Sequence, residues 1–357
     1  MTTIHLVYAH GPRISCPDAI GRHLGEHLET RYNVLYYNWQ DTRLIRPGPA
    51  DVLIGHPHPV PWTCFRRSAR LNGWKRVLLM SPYHHGDDVQ VAFLESVIRH
   101  CDLYLAITGN HWFSSIDKSL YSHWLPKMIH LDLAVDRAEF PPIKQDFNAP
   151  GQRRFVYIGN CFAGKNVGYL TQIAHLMPDA EVAWIGRGKP GIPGLRARGY
   201  QDFNTDEARN ILAGYDFMLT VGKADANPAT ILETMAWGLI PVCTPESGYV
   251  GHSGIVNVPL DHAQEVVRIL RQLQQQPDKQ VKAWQAENWQ LLDTHFNWDR
   301  FSRQVIDAIE SNTSPALGHM SRARAWRIRW AALRSPHFYL RPRNLKRFLQ
   351  AIYWENG

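Results

Sequence analysis

DFMLTVGKADANPATILETMAWGLIPVCT, residues 216–244, places a helix pattern between two strand patterns. The flanking runs DFMLTV and IPVCT are short and apolar, whereas ATILETMAWG has helical length and ends on a glycine. A strand, a helix and a second strand in this order predict a parallel βαβ unit. The stretch therefore favours an α/β fold.

The same alternation fills most of the 357-residue chain. One series runs from IHLVYAH through NVLYYNW, DVLIGHP and RVLLMSPYH to DLYLAIT, and a second begins at RRFVYIGN. We therefore predict an N-terminal Rossmann-like domain over 1–145 and a C-terminal one over 152–296. Residues 297–357 are predicted to form a crossover helix and a basic aromatic tail that returns to the first domain.

Bulk properties narrow the class of protein. No run of about 18 apolar residues is present, and the N-terminus MTTIHLVYAHGP lacks the features of a secretory signal. The five cysteines show no CxxC spacing, which argues against a disulfide framework or a zinc cage. We expect a cytoplasmic protein.

The net charge of +7 is concentrated at the C-terminus. Residues 313–357 hold eight Arg and one Lys against the single acid Glu355, so the rest of the chain is nearly neutral. This distribution indicates a local acidic partner and argues against a protein that coats nucleic acid.

The helix in the opening stretch carries the candidate site. Asn227 suits the N-cap and Pro228 the first helical position, so the amides of Ala229, Thr230 and Ile231 are predicted to face an anion. Helix N-termini beyond parallel strands bind phosphates, and a diphosphate is the expected ligand.

Two acids flank this anion position. Glu233 leans back along the helix toward its N-terminus and is placed to accept hydrogen bonds from sugar hydroxyls. Asp225 precedes the helix and lies on the other side of the phosphate. Such a pair suits a sugar nucleotide, although a solvated loop Asp and a surface Glu would give the same pattern.

Residues 225–248 resemble the E-x7-E region of glycosyltransferase family 4, retaining enzymes of the GT-B fold. Further resemblances follow in the family's order: FVYIGNCFAGKNV (155–167) with the phosphate loop, WIGRG (184–188) with the next glycine turn, and LDLAVDRAEFPP (131–142) with the signature that ends the first domain. The resemblance covers about residues 50–311 and implies two Rossmann-like domains facing across a cleft.

The resemblance also implies roles for individual residues. Glu233 would hold the nucleotide ribose, Lys165 would bind the diphosphate with Gly159, and Asp225 would contact the donor sugar. Asp225 replaces a Glu and Asn160 replaces an Arg of the family pattern, which leaves open an unusual donor or a weakened, non-catalytic binding protein. Base contacts are expected around Arg187, Gly199 and Tyr200.

Four histidines allow three interpretations. The simplest, preferred for His56 and His58, is that they are cleft-edge or capping residues without a chemical role. His84, with His85 as second choice, matches a family histidine that lines the cleft near the transferred sugar. With His56 and His58, however, they also supply the ligand types of a metal-dependent hydrolase.

Gly11 is assigned to a glycine loop near the donor phosphate, with an ordinary strand-to-helix turn as the alternative.

The tail interleaves basic and aromatic residues over 322–354. One interpretation is a peripheral element on an anionic membrane surface, here the inner face of the membrane. The other is that its aromatic residues pack on the first domain; nucleic acid is the weakest of the three.

The resemblance to glycosyltransferase family 4 implies a retaining, metal-independent glycosyltransferase without a cofactor. It would move a sugar from a nucleoside-diphosphate sugar to a hydroxyl of a glycan, a lipid-linked sugar or another glycoside, as in polysaccharide biosynthesis.

Overall fold

A computed structural model describes residues 2–10, 16–59, 63–161, 163–188, 191–335, 342 and 344–346. The strands in chain order are β1 (Thr3–Val7), β2 (Asn33–Tyr36), β3 (Val52–Gly55), β4 (Arg76–Pro82), β5 (Leu103–Ile107), β6 (Met128–Leu131), β7 (Phe155–Ile158), β8 (Val182–Ile185), β9 (Arg196–Ala197), β10 (Phe217–Thr220), β11 (Ile240–Cys243) and β12 (Val256–Asn257). The helices are α1 (Cys16–Glu29), α2 (Cys64–Ser68), α3 (Asp88–Val91), α4 (Glu95–Ile98), α5 (Asn110–Phe113), α6 (Val167–His175), α7 (Asp206–Ala213), α8 (Ala229–Trp237), α9 (Ala263–Gln274), α10 (Asp278–Thr294), α11 (Trp298–Glu310) and α12 (Arg322–Arg334).

The chain divides into two compact units. The first comprises Met1–Thr108, Phe113–Leu131 and Trp298–Gly357, and the second comprises Gly109–Trp112 and Asp132–Asn297. The short piece Gly109–Trp112 thus belongs to the second unit, although the chain on either side of it belongs to the first.

The first unit is built on a parallel sheet of order β2-β1-β3-β4-β5-β6. Its central strands are buried along almost their whole length, as expected for a sheet covered on both faces. The core includes Leu53, Leu79 and Tyr104 from the sheet and reaches Ile328 on α12.

The second unit is built on a parallel sheet of order β12-β11-β10-β7-β8-β9. Strands β8 and β9 lie on one side of β7, and β10, β11 and β12 lie on the other. The direction of winding therefore changes between β7 and β10, and ligands of such sheets bind outside the carboxyl ends of the strands at this point. The predicted α/β class with two doubly wound domains is confirmed.

Some elements differ from their sequence patterns. The run VQVAFLESVIRH predicts one helix, but it forms α3, a 3₁₀ turn over Ala92–Leu94 and α4, with Val91, Leu94 and Val97 buried. Strands β9 and β12 have only two residues each, too few for a periodic signal. Within the described residues, no helix is both long and apolar enough to cross a bilayer.

Candidate functional site

Two loops at the carboxyl edge of the second sheet are tied together. Gly159, after β7, donates from its amide to the Ile185 carbonyl at 2.9 Å, and its own carbonyl accepts from the Trp184 indole at 2.8 Å. A Cβ on Gly186 would lie 2.0 Å from the Gly159 carbonyl oxygen, so only glycine permits this approach. The Asn160 carboxamide oxygen accepts from the Arg187 amide at 3.1 Å, which fixes the two loops to each other.

Lys165 and Asp225 meet at the change of winding. Lys165 ends a 3₁₀ helix over Ala163–Lys165 after β7, and Asp225 lies in the loop after β10. Their side chains form an ion pair, and both remain partly exposed, at 31% and 24%. The structure therefore brings together two predicted site residues that lie 60 positions apart in sequence.

The loop that carries Asp225 is held by backbone and indole hydrogen bonds. The Asp225 carbonyl accepts from the Trp112 indole at 2.7 Å, and the Ala226 carbonyl accepts from the Gly109 amide at 2.8 Å. The Asp225 amide donates to the Glu246 carbonyl at 3.0 Å. The sequence did not predict this role of Trp112, because the segment GNHW (109–112) contains no pattern that indicates a contact 113 positions away.

Asn227 does not have its predicted role. The N-cap of α8 is Pro228, and no side chain caps the helix. The Asn227 carboxamide oxygen instead accepts from the Leu133 amide and the Tyr249 hydroxyl, each at 3.0 Å. Asn227 is 6% exposed, and its side-chain nitrogen has no acceptor among the described residues. A buried donor of this kind fits an absent acceptor.

The first amides of α8 are also available as donors. No described group accepts from the amides of Ala229 and Thr230. The expectation for Ile231 is wrong, because its amide donates to the Pro228 carbonyl at 3.2 Å. The predicted helix end is confirmed, with Gly238 in the left-handed conformation at a φ of 94°.

Glu233 lies one turn into α8. Burial raises the pKa of its carboxyl group from 4.5 to about 7. No described residue donates a hydrogen bond or supplies a positive charge to this carboxylate. The charged form of this carboxyl group is therefore not stabilised by the described residues, and a hydrogen-bond donor beside it would lower its pKa.

Arg187 and Tyr200 lie beside the tied loops. The Arg187 guanidinium lies over the Tyr200 ring, 3.8 Å from its centroid, and the ring is 59% exposed. Gly199 takes a φ of 71° and accepts a hydrogen bond from the Gly186 amide. The exposed cation–aromatic pair offers a flat face next to the loops that follow β7 and β8.

The four candidate histidines lie in the first unit, beyond the carboxyl ends of β3 and β4. His56 and His58 contact the Trp39 ring edge-on, with centroids 4.7 and 4.4 Å away. Burial, and then the neighbouring His58, lowers the pKa of His56 to about 3. His85 lies 3.3 Å from the hydroxyls of Tyr83 and Ser115.

This arrangement does not favour the metal interpretation. In the described part of the first unit, the histidines form no group of three with one another or with acids or cysteines whose ligand atoms lie within 4.8 Å. His84 lies two residues after the end of β4, and its assignment near the sugar stays a prediction. Gly11 lies outside the described residues.

Solved structures share this architecture. Sucrose-phosphate synthase from Thermosynechococcus elongatus matches with a TM-score of 0.62 and 13% identity over 86% of this chain and 98% of its own. A structure from E. coli, described as trehalose-6-phosphate bound with UDP-2-fluoro glucose, matches with a TM-score of 0.64 and 9% identity over 88% and 100%.

The protein has the GT-B fold. TarM also matches, with a TM-score of 0.55 and 10% identity over 73% of this chain, and the chain spans 55% of the length of TarM. Neither a protein-family model nor a curated protein sequence matches the chain. The likeness is thus one of fold.

Proposed function

We propose that this GT-B protein is a retaining glycosyltransferase that uses a nucleoside-diphosphate sugar. One observation carries the proposal: Lys165 follows β7, Asn227 with its unpaired side-chain nitrogen follows β10, and the free amides of Ala229 and Thr230 open α8, all beside the β7–β10 change of winding. These groups are donors or cations at a helix N-terminus, which suits a diphosphate.

The remaining site residues suit the two ends of such a donor. Glu233 would accept hydrogen bonds from the ribose hydroxyls, and these donors would favour its charged form. Asp225 would share Lys165 with the diphosphate and approach the sugar, while Arg187 and Tyr200 would flank the base.

In the reaction that we infer, the bond between the anomeric carbon and the diphosphate oxygen breaks, and its electron pair stays on that oxygen. Lys165 and the α8 amides stabilise the developing charge. The acceptor hydroxyl bonds to the anomeric carbon on the same face and passes its proton to the diphosphate. No step requires a metal or a cofactor, and the acceptor is a glycan, a lipid-linked sugar or another glycoside.

The contacts of Asn160 show what its departure from the family pattern does to the charge of the site. Asn160 supplies no positive charge, and its carboxamide oxygen accepts from the Arg187 amide, so the site has one cation fewer than the family pattern and Lys165 carries more of the diphosphate charge. We therefore expect donor binding to depend strongly on this one side chain.

The test is a thermal-shift panel of nucleoside diphosphates and nucleotide sugars. Wild type should be stabilised by at least one of them, and Lys165→Ala should lose that stabilisation. Lys279→Ala, a change at an exposed lysine on α10, is the matched control and should keep it. The proposal fails if no nucleotide stabilises the wild type, whereas stabilisation without turnover would identify a binding protein. Nuclear magnetic resonance of the product would then establish retention.

A further inference from the structure

Helix α12 is firmly attached to the first unit through one side. Ile328 and Ala331 are buried in the core of that unit, and the Arg324 guanidinium donates to the Ser122 hydroxyl at 2.7 Å. Ser321 caps the helix by accepting from the Arg324 amide at 3.2 Å. The segment before it is also anchored, because the Gly318 amide donates to the His123 carbonyl at 2.7 Å. The orientation of the helix is therefore fixed.

The opposite side of α12 presents large apolar groups to solvent. Trp326 is 67% exposed, Trp330 53% and Leu333 49%, and the two indole rings stack with centroids 6.1 Å apart. At about 100° per residue, these three side chains fall within about 60° of one another. The alternative in which the tail aromatics pack on the first domain does not hold for Trp326 and Trp330, whose rings are exposed. The aromatic residues beyond Ser335 lie outside the described residues.

Arginines border this apolar ridge. Helix α12 contains five arginines and no acid. By the same rotation Arg322 and Arg329 lie along one side of the ridge, and Arg327 and Arg334 lie along the other. Arg322 and Arg329 are exposed and pair with no acid among the described residues.

We propose that the ridge formed by Trp326, Trp330 and Leu333 docks on an anionic lipid surface. A helix held along one side lies parallel to that surface, so its indoles enter the headgroup region while the bordering arginines meet lipid phosphates. Lipid suits the ridge better than nucleic acid, because a membrane interface buries Leu333 together with both indoles, whereas bases would stack on the indoles alone and leave Leu333 in water. This inference is independent of the proposed transfer reaction.

The test is flotation of the full-length protein with vesicles of phosphatidylcholine alone or with added phosphatidylglycerol. Wild type should float with the anionic vesicles and not with the neutral ones. Trp326→Ala with Trp330→Ala should weaken binding roughly tenfold or more. Leu44→Ala with Leu176→Ala removes two exposed apolar side chains outside α12 and should leave binding unchanged.

The electrostatic part has its own pair of variants. Arg322→Gln with Arg329→Gln should weaken binding about 25-fold, at about fivefold for each arginine. Arg46→Gln with Arg303→Gln removes the same charge from exposed positions outside α12 and should have much less effect. Added salt should weaken wild-type binding.

Four results would overturn the proposal. The first is wild-type protein that ignores anionic vesicles, and the second is a tryptophan variant that binds them as wild type does. The third is loss of thermal stability in the tryptophan variant well beyond that of the leucine control, which would mean that the chain itself covers the ridge. Preferential binding to single-stranded RNA over vesicles would also reject lipid as the partner. None of these readouts requires transferase activity.

Discussion

Replacing Glu233 with glutamine should stabilise the unliganded protein while weakening nucleotide binding. Burial raises the pKa of this carboxyl group from 4.5 to about 7, so its charged form is disfavoured in the folded state. At about 1.36 kcal/mol per pKa unit, the difference corresponds to about 3 kcal/mol. Glutamine keeps the shape and removes the charge.

The sign of the pH dependence follows from the raised pKa. Below 4.5 the carboxyl is protonated in both folded and unfolded chains, and it contributes no penalty. Between 4.5 and about 7 the unfolded chain loses the proton first, so the stability of the wild type falls with rising pH. Above about 7 the full penalty is present.

The assay is urea unfolding of wild type and Glu233→Gln at about pH 4.5 and about pH 8. The stability difference between them should change by about 3 kcal/mol in favour of the variant at the higher pH. Glu207→Gln, an exposed acid on α7, is the control and should show little change. A difference that does not vary with pH would refute the desolvation argument.

Three further expectations concern the same edge of the second sheet. Lys165→Ala should lower kcat/KM about 10²- to 10³-fold in steady-state kinetics. Because Lys165 and Asp225 are paired, the double variant Lys165→Ala with Asp225→Asn should lose less activity than the product of the two single losses. Independent effects of the two changes would contradict this. Gly186→Ala should destabilise the protein by about 1–3 kcal/mol in chemical denaturation, whereas Gly168→Ala, with nothing within 4 Å, should not. Transfer activity should be unchanged after dialysis against a chelator, and a loss restored by a divalent metal would reject the metal-independent mechanism.

The sequence predicted most of the fold because buried parallel strands and their helices have strong local patterns. Strand β10 and helix α8 were readable from a run of apolar residues and from the glycine at position 238. The Lys165–Asp225 pair was not readable, since its two members are joined only by the order of strands in the sheet.

Other features depend on packing that no local pattern records. Asparagine is a residue type that favours the N-cap, yet the Asn227 side chain accepts hydrogen bonds from the Leu133 amide and the Tyr249 hydroxyl instead. Likewise, the tail sequence shows that tryptophans and arginines are present, but it does not show which side of α12 is exposed. That side is determined by the burial of Ile328 and Ala331.

The piece Gly109–Trp112 has a consequence for dissecting the chain. It belongs to the second unit, and Trp112 and Gly109 support the loop that carries Asp225. A fragment starting at Asp132 would contain Lys165, Asp225 and Glu233 and still lack this support. A chimera with another GT-B protein joined at that boundary would therefore lack the hydrogen bonds that support the Asp225 loop. A functional chimera would have to include Gly109–Trp112 together with the C-terminal half.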